Sequence, residues 1–186
     1  KKYDGKNFKV YKVDQNKGPT EKHIKKLFFG KKKQLWLLTK SDGLNLYKPK
    51  SDSFTSFNES NSPLSNTEII DIYQYDDSNL WLATQNNGLI HYSPNENKIM
   101  NHFLPSSKDK GIISNKLTLL LADQLDRIWI VSNKGLSMIN TKKSIKNYSQ
   151  INNTLGGSIS SLEIGNNNTL WIGTKEKGLY LFDIKT

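Results

Sequence analysis

The stretch LWLATQNNGL, residues 80–89, decides the fold because the chain contains four versions of it. The others are LWLLTKSDGL at 35–44, IWIVSNKGL at 128–136 and LWIGTKEKGL at 170–179. Their tryptophans lie 45, 48 and 42 residues apart, at Trp36, Trp81, Trp129 and Trp171. Each tryptophan is followed by a hydroxyl residue (Thr39, Thr84, Ser132, Thr174) and then by a Gly-Leu pair that begins at Gly43, Gly88, Gly135 or Gly178. This regular spacing predicts a repeat protein.

The pattern of apolar and turn residues within each repeat unit predicts four short strands separated by turns. In the second full unit we expect them at 69–75, Leu80–Thr84, 88–92 and 99–103. The matching first strands are expected at Ile24–Phe29, Leu117–Ala122 and Ile159–Ile164, and the matching fourth strands at 54–57 and Ile145–Tyr148. No segment has a sustained helical period, so we expect a nearly all-β chain.

The second strands are apolar at odd and even positions alike, which predicts sheets that are covered on both faces. Four-stranded antiparallel sheets of this repeat length predict the blades of a β-propeller, with a tryptophan as the wedge between neighbouring blades. The glycine that opens each third strand is expected at a positive φ or a close backbone approach. We therefore expect the repeated tryptophans, hydroxyl residues and glycines to be structural.

The repeat divides the chain into a single propeller segment. Residues 1–19 are expected to supply the fourth strand of a preceding or closing blade, followed by blade 1 (20–62), blade 2 (63–111), blade 3 (112–153) and blade 4 (154–186), which lacks its own fourth strand. Because an unpaired edge strand invites aggregation, we predict that 8–13 pairs with 179–183 and closes a four-bladed ring. The alternatives are a fragment of a larger propeller, or two chains that exchange end strands.

Composition excludes several kinds of chemistry. The chain has no cysteine, which excludes disulfides, thiolate metal sites and cysteine nucleophiles. The net charge is +10, but only one of its 27 basic residues is an arginine, Arg127, which disfavours nucleic-acid binding and leaves room for an acidic ligand. The apolar run at 119–122 is far too short to span a membrane. Without an initiator methionine or signal core at its start, the chain is expected to be part of a longer protein.

No catalytic, metal or cofactor site is predicted. His23, His91 and His102 share no spacing, and we expect His91 to be a surface strand residue. Asp76 and Asp77 are expected in a turn rather than as a catalytic pair. The basic run KKKQ at 31–34 is expected to be a solvated turn.

The phrase LWIGT followed by GL, at 170–179, resembles the two-component regulator propeller repeat, which forms the extracytoplasmic sensor of Bacteroides-type hybrid histidine kinases. Four copies cover 20–186, and the pairs Ser65-Asn66 and Ser114-Asn115 before the first strands fit the same pattern. That family often has an aspartate six residues before the tryptophan. Asp123 matches it, whereas Gly30, Tyr75 and Gly165 replace it in the other blades. The likeness to WD-type repeats is weaker, since no tryptophan here precedes an aspartate.

The resemblance implies a non-catalytic, periplasmic sensor segment that responds to an oligosaccharide. It also implies a homodimeric full-length receptor, with the membrane anchor and the kinase in parts of the protein outside this chain. Two alternatives stay open. The blades could serve only in packing and dimerisation, or the chain could act as a propeller lyase on cyclic peptides, which would need a histidine, acid and divalent-metal set that the sequence does not supply.

Ligand binding is predicted on the rim that carries the turns between second and third strands and the connections between blades, because propeller loops vary while the scaffold repeats. Amides and lysines there could bind sugar hydroxyls, a uronate or a sulfate, although exposed turns are polar in any case. The candidates are Lys40, Asp42, Gln85, Asn86, Asn87, Asn133, Lys134, Lys175 and Glu176.

Overall fold

A computed structural model describes residues 2–3, 5, 7–14, 17–30, 33–64, 67–74, 76, 78–106, 111–166 and 168–184. The first two strands, β1 (Lys2–Tyr3) and β2 (Phe8–Lys9), pair with each other in a small sheet. The rest of the chain forms four antiparallel sheets in sequence order, which we call blades 1 to 4. The all-β prediction is confirmed.

Three blades have four strands each and the fourth has three. Within each blade the strands follow chain order from one edge to the other. Blade 1 contains β3 (Ile24–Phe29), β4 (Leu35–Thr39), β5 (Leu44–Lys48) and β6 (Ser53–Phe57). Blade 2 contains β7 (Ile69–Gln74), β8 (Leu80–Thr84), β9 (Leu89–Ser93) and β10 (Lys98–Phe103). Blade 3 contains β11 (Leu117–Ala122), β12 (Ile128–Ser132), β13 (Gly135–Ile139) and β14 (Ile145–Tyr148), and blade 4 contains β15 (Ile159–Ile164), β16 (Thr169–Thr174) and β17 (Gly178–Asp183).

The core consists of three apolar clusters, one between each pair of neighbouring blades. In each cluster the tryptophan of one blade packs against the first and second strands of the next. Trp36, Trp81 and Trp129 are 2%, 5% and 0% exposed as a result, whereas Trp171 is 41% exposed. Each tryptophan therefore fills the space toward the following blade, as a wide apolar wedge should.

One short helix, α1 (Ile151–Leu155), lies between blades 3 and 4 and was not predicted. Its Ile151 and Leu155 lie one turn apart on the same side and are buried in the core cluster between these blades. Gly156 ends the helix with a left-handed φ of 61° and donates its backbone N–H to the carbonyl of Asn152. Five residues are too few to give a helical period, which is why the sequence pattern missed it.

The predicted ring closure through 8–13 and 179–183 is wrong for the single chain. Among the described residues β17 pairs only with β16, and β2 pairs with β1. Residues 8–13 instead lie on blade 1, where the Tyr11 ring meets Tyr47 and Phe54 edge-on at centroid distances of 5.9 and 5.5 Å. This aromatic contact with blade 1 forms without bending the four blades into a closed ring, whereas the predicted pairing requires that bending. In the described part of the chain no helix is long and apolar enough to span a membrane.

Candidate functional site

The turn between the second and third strands of each blade is closed by the hydroxyl group of the repeat. Thr84 Oγ1 donates to the carbonyl of Gly88 at 2.7 Å and accepts from the N–H of Asn87 at 2.8 Å. Equivalent hydroxyl bonds occur at Thr39, Ser132 and Thr174. Because the side-chain oxygen satisfies the turn backbone, the turn residues between it and the glycine are free to vary.

The glycine of the repeat is required by its conformation. Gly43 and Gly88 have φ of 70° and 69°, and an added Cβ would lie 2.3 Å from the carbonyl oxygen of Phe57 or Phe103 on the fourth strand. Gly135 and Gly178 also have positive φ, 134° and 82°. Any other residue would be strained at these angles, and at Gly43 and Gly88 its Cβ would also overlap the fourth strand.

The four turns lie at the same edge as the connections between blades. The residue after each hydroxyl residue donates its backbone N–H to a carbonyl just before the first strand of the same blade, as Gln85 does to Glu68 at 2.9 Å and Lys175 to Ser158 at 3.0 Å. Lys40 and Asn133 make the same bond to His23 and Lys116. The structure thus brings the predicted candidates to one rim.

Several predicted candidates use their polar groups to hold this rim together. The Gln85 amide, with its nitrogen toward Glu68, donates to both carboxylate oxygens at 2.8 and 2.9 Å. Asn133 Oδ1 accepts from the Ser114 hydroxyl at 2.7 Å, and Glu176 Oε2 accepts from the Ser158 N–H at 2.9 Å. The carbonyls of Asn86 and Asn87 accept from Asn115 Nδ2 and His102 Nε2. Asp42 and Lys134 donate their backbone N–H groups to the turn hydroxyls of Thr39 and Ser132.

Lys40 is the candidate that lines a cleft. A cavity of about 270 Å³ opens at this rim between blades 1 and 2. Its polar wall is formed by Lys40 and Ser41 from the turn, by Asn58 and Glu59 after β6, and by Thr67 and Glu68 before β7; the floor is formed by Leu38, Gly43, Leu64 and Ile69. The Ser41 N–H is already bonded to Glu21 Oε2 at 2.8 Å, and this bond holds the pKa of Glu21 below its ordinary value. This backbone N–H is therefore not available to a ligand in the cleft.

Four of the six residues of the polar wall lie outside the turns for which binding was predicted. Asn58, Glu59, Thr67 and Glu68 lie in the connection between blades, and the repeat gives no pattern for connections. The polar composition of residues 58–68 was the available signal, since a long polar link beside a varied turn is where a propeller can place a site.

The same position is filled by apolar side chains between the other blades. At Gly88, an added Cβ would meet Ile112 and Leu104 at 3.3 Å each. At Gly135, the nearest side chains are Ile113 and Ile151 of α1, both at 3.5 Å. At Gly43, by contrast, the three heavy atoms nearest to an added Cβ all belong to the backbone of Phe57 and Asn58.

The opposite edge of the sheets carries a second cavity, of about 540 Å³, between blades 3 and 4. Its charged residues serve the fold. Asp123 accepts hydrogen bonds from Trp129 Nε1 at 2.9 Å and Arg127 Nε at 2.5 Å, and Arg127 Nη2 donates to Asn168 Oδ1 at 2.8 Å. Burial acts to raise the pKa of Asp123, but the bonds from Trp129 and Arg127 outweigh it and lower the pKa below its ordinary value.

His91 is buried, contrary to the surface position expected for it. It lies opposite Trp81 on the neighbouring strand, and the two rings stack at a centroid distance of 4.5 Å. Its Nδ1 donates to Asn101 Oδ1 at 3.3 Å, while Nε2 is buried without a hydrogen-bond partner among the described residues. Asp76 lines a small cavity together with Trp81 and His91. Its carboxylate accepts from the N–H groups of Ser78 and Asn79, which confirms the predicted turn there. Asp77 and Tyr75 lie outside the described residues.

Across the part of the chain that the structure describes, no three histidine or acidic side chains are grouped so that they could hold a metal ion. Lys31, Lys32, Ser65 and Asn66 also lie outside that part. Because the predicted candidate Lys40 lines it, the rim cleft between blades 1 and 2 is the candidate site.

Comparison with solved structures identifies the architecture. The extracellular domain of the hybrid two-component system BT3049 from B. thetaiotaomicron aligns with 96% of this chain and 23% of that chain, at 23% identity and a TM-score of 0.75. This chain is an arc of β-propeller blades. A second extracellular domain of this kind, BT4673 from B. thetaiotaomicron, aligns with 92% of this chain and 24% of that chain, at 17% identity and a TM-score of 0.71.

Enzymes share the propeller architecture too. Virginiamycin B lyase from Staphylococcus aureus aligns with 86% of this propeller arc and 55% of that chain, at 16% identity and a TM-score of 0.59. No protein-family model and no curated protein matches the sequence. The chain spans about a quarter of the two extracellular domains. At these identities the likeness shows the fold.

Proposed function

We propose that this propeller arc is a non-catalytic, ligand-sensing segment in the extracytoplasmic sensor of a hybrid two-component system. Two structures similar to it, with TM-scores of 0.75 and 0.71, are extracellular domains of such systems, and this supports a sensor role and an extracytoplasmic location. Any kinase activity would belong to other parts of the full-length protein.

The observation that carries the proposal is the cleft between blades 1 and 2. It has an apolar floor, a polar wall and a volume of about 270 Å³, which is near the lower end of the range for small-molecule sites. A site of this size suits one or two sugar rings. Its wall offers both donors and acceptors, from Lys40 and Ser41 on one side and Glu59 and Asn58 on the other.

The ligand we propose is an oligosaccharide. Sugar hydroxyls donate and accept hydrogen bonds at once, and a wall that mixes amide, hydroxyl and carboxylate groups suits them better than it suits a purely anionic ligand. Lys40 adds a cation that would favour a sugar with a carboxylate or sulfate beside neutral hydroxyls. Binding would change the relative position of blades 1 and 2 and so bias the neighbouring parts of the sensor, because a ligand shifts an equilibrium by its difference in affinity for the two states.

Titration calorimetry of the chain with a panel of neutral and acidic oligosaccharides tests the proposal. Glu59→Gln and Lys40→Ala are expected to weaken binding about tenfold or more, because each removes a charge-assisted hydrogen bond of roughly 1.5 kcal/mol or more. Lys134→Ala, in the corresponding turn of blade 3, is the matched control and should leave binding unchanged. Absence of affinity for every sugar in the panel would contradict the proposal.

A second candidate is a purely structural segment that supports dimerisation while the ligand binds elsewhere. It is favoured by the number of rim groups that already bond each other, such as Gln85 with Glu68 and Glu176 with Ser158. In this case alanine replacement of Lys40 and Glu59 in the full-length sensor would leave the signal response unchanged. A lyase activity has less support, and metal-dependent turnover of a cyclic peptide by the purified chain would be needed to establish it.

A further inference from the structure

Each blade ties its turn between second and third strands to the connection that precedes its first strand. In every tie a side-chain oxygen accepts the hydrogen bond, and the pairs are Ser41 with Glu21, Gln85 with Glu68, Ser114 with Asn133, and Ser158 with Glu176. In blade 2 the acceptor is the carboxylate of Glu68, which also lines the rim cleft. Glu68 therefore has both a role in the fold and a place in the candidate site.

Gln85 fixes Glu68 through the backbone and through the side chain. The Gln85 backbone N–H donates to the Glu68 carbonyl at 2.9 Å, and the Gln85 amide nitrogen lies 2.8 and 2.9 Å from the two carboxylate oxygens. The described lining of the cleft includes Glu68 but not Gln85, so Gln85 supports the carboxylate from outside the cleft. A ligand would meet an acceptor that is already ordered, which removes an entropic cost of binding.

Lys25 balances the charge of Glu68 from blade 1. Its ammonium lies 3.6 Å from Glu68 Oε1 and donates to the carbonyl of Ile69 at 3.4 Å. Glu68 thus contacts both of the blades that form the cleft. Its side chain is still 49% exposed, so these contacts do not cover the carboxylate.

The uncovered part of the Glu68 carboxylate can only accept hydrogen bonds. An ionised carboxylate has about four lone-pair sites and no donor. The Gln85 nitrogen is nearly equidistant from the two oxygens and so lies between them, while Lys25 lies beside Oε1. Oε2 is therefore the oxygen that is open to a donor from a ligand. A hydroxyl satisfies it, whereas an ether oxygen, a carboxylate or a sulfate does not.

We propose that Glu68 is a specificity-determining residue of the rim cleft and that Gln85 is its positioning residue. Glu68 accepts a hydrogen bond from one sugar hydroxyl, and a saccharide that is deoxygenated, alkylated or sulfated at that hydroxyl binds poorly. Lys40, which can only donate, binds an acidic substituent elsewhere on the saccharide. The cleft therefore selects a saccharide in which a free hydroxyl and the acidic group occupy different positions. This inference rests on the proposed function, because it assigns what one residue of the same cleft recognises.

Titration calorimetry with the panel sugar of highest affinity and its monodeoxy analogues tests the role of Glu68. Glu68→Ala is expected to weaken binding of the parent sugar about tenfold, because it removes a charge-assisted hydrogen bond. Glu68→Gln keeps a carbonyl acceptor and should fall between Glu68→Ala and the wild type. One monodeoxy analogue should bind the wild type about tenfold more weakly than the parent sugar does, whereas Glu68→Ala should bind the two sugars equally.

A double-mutant cycle tests the role of Gln85. Gln85→Ala should weaken binding of the parent sugar about threefold, because the Glu68 side chain must then be ordered on binding. In a chain that already carries Glu68→Ala, the same replacement should have no further effect, since Gln85 acts through Glu68. Asn133→Ala removes the equivalent tie of blade 3 and is the matched control, with unchanged affinity. An equal loss with and without Glu68 would show a general effect on the fold and overturn the positioning role.

The possible failures are distinguishable. If the wild type binds a panel sugar and Glu68→Ala binds it equally well, the specificity role of Glu68 is overturned while the proposed function stands. If the wild type binds no sugar of the panel, the proposed function and this inference fail together. Circular dichroism of each variant confirms that the blades are intact before affinities are compared.

Discussion

The carboxylate of Asp71 accepts a hydrogen bond from the backbone N–H of Leu120 at 2.9 Å and so joins the first strand of blade 2 to the first strand of blade 3. The same carboxylate accepts from the N–H of Ile72 at 2.7 Å and pairs with the ammonium of Lys26 in blade 1. Asp71 is 5% exposed. One buried acid therefore links the inner strands of three consecutive blades.

Replacement of Asp71 by alanine should destabilise the arc by about 2–4 kcal/mol, because it leaves two buried N–H groups without an acceptor. Asp71→Asn keeps one carbonyl acceptor and should cost less. Lys26→Ala should cost under about 1 kcal/mol, since the lysine side chain is 41% exposed. Urea unfolding of the three variants measures the order, and equal losses for Lys26→Ala and Asp71→Ala would show that the ion pair rather than the backbone bond matters.

Asp123 should make the stability of blade 3 depend on acid pH. Burial acts against the charged form, but the bonds from Trp129 and Arg127 lower the pKa of Asp123 below its ordinary 3.8. A lowered folded-state pKa contributes stability that is present above the unfolded value and lost as pH falls through the folded value. Wild-type stability should therefore drop below about pH 4 with a contribution that Asp123→Asn lacks, and urea unfolding from pH 7 to pH 3 measures the difference. A parallel fall in both proteins would assign the acid sensitivity to other carboxylates.

The tryptophan repeat was enough to predict the strands and the stacking of the sheets. A wedge such as Trp129 must be buried between two sheets. The number of residues between successive tryptophans therefore gives the length of one blade. The bounds of β8, β11, β14 and β15 agree with the expected ones, because hydrophobic residues on both faces and turn residues at both ends leave little freedom there.

The parts that sequence could not predict depend on contacts between distant residues. His91 was expected on the surface because a single histidine in a strand gives no sign of its neighbour, yet its partner Trp81 is the wedge of the same blade. The predicted ring closure was wrong for a similar reason, since the strand pattern indicates that residues 8–13 can pair but not which strand they pair with. The cleft wall at Glu59 and Glu68 lies in a connection without a repeat, where pattern gives no position at all.

His91 should lower the stability of the arc as pH falls below neutrality. It occupies the position that Leu46 has in blade 1 and Met138 in blade 3, opposite the tryptophan. Burial lowers the pKa of His91, and the charge of Lys143 lowers it further, against the raising effects of Asn101 and Asp76. Near pH 6.5 the unfolded chain therefore binds a proton at His91 that the folded chain does not bind. The free energy of unfolding thus decreases as pH falls through about 6.5.

His91→Met should remove this pH dependence and leave stability at pH 8 within about 1 kcal/mol of the wild type, since it restores the side chain used in blade 3. Unfolding free energies at pH 8 and pH 5 measure both effects. Met138→Leu, at the equivalent position opposite Trp129 in blade 3, is the matched control, because it changes the packing against a tryptophan without removing an ionisable group. An unchanged slope in His91→Met would mean that His91 takes up its proton equally in the folded and unfolded chain.

Replacing the repeat glycines by alanine tests how much the backbone of the fourth strand adds to the loss of stability at this position. Gly88→Ala combines a left-handed φ of 69° with an added Cβ 2.3 Å from the Phe103 carbonyl, whereas Gly178→Ala has a φ of 82° and nothing within 4 Å. The second variant should lose about 1 kcal/mol from backbone strain alone, and the first about 2 kcal/mol or more because the β10 backbone must also move. Urea unfolding of the two variants and the wild type measures the two losses. Equal losses would show that the fourth strand yields to the added methyl group without cost.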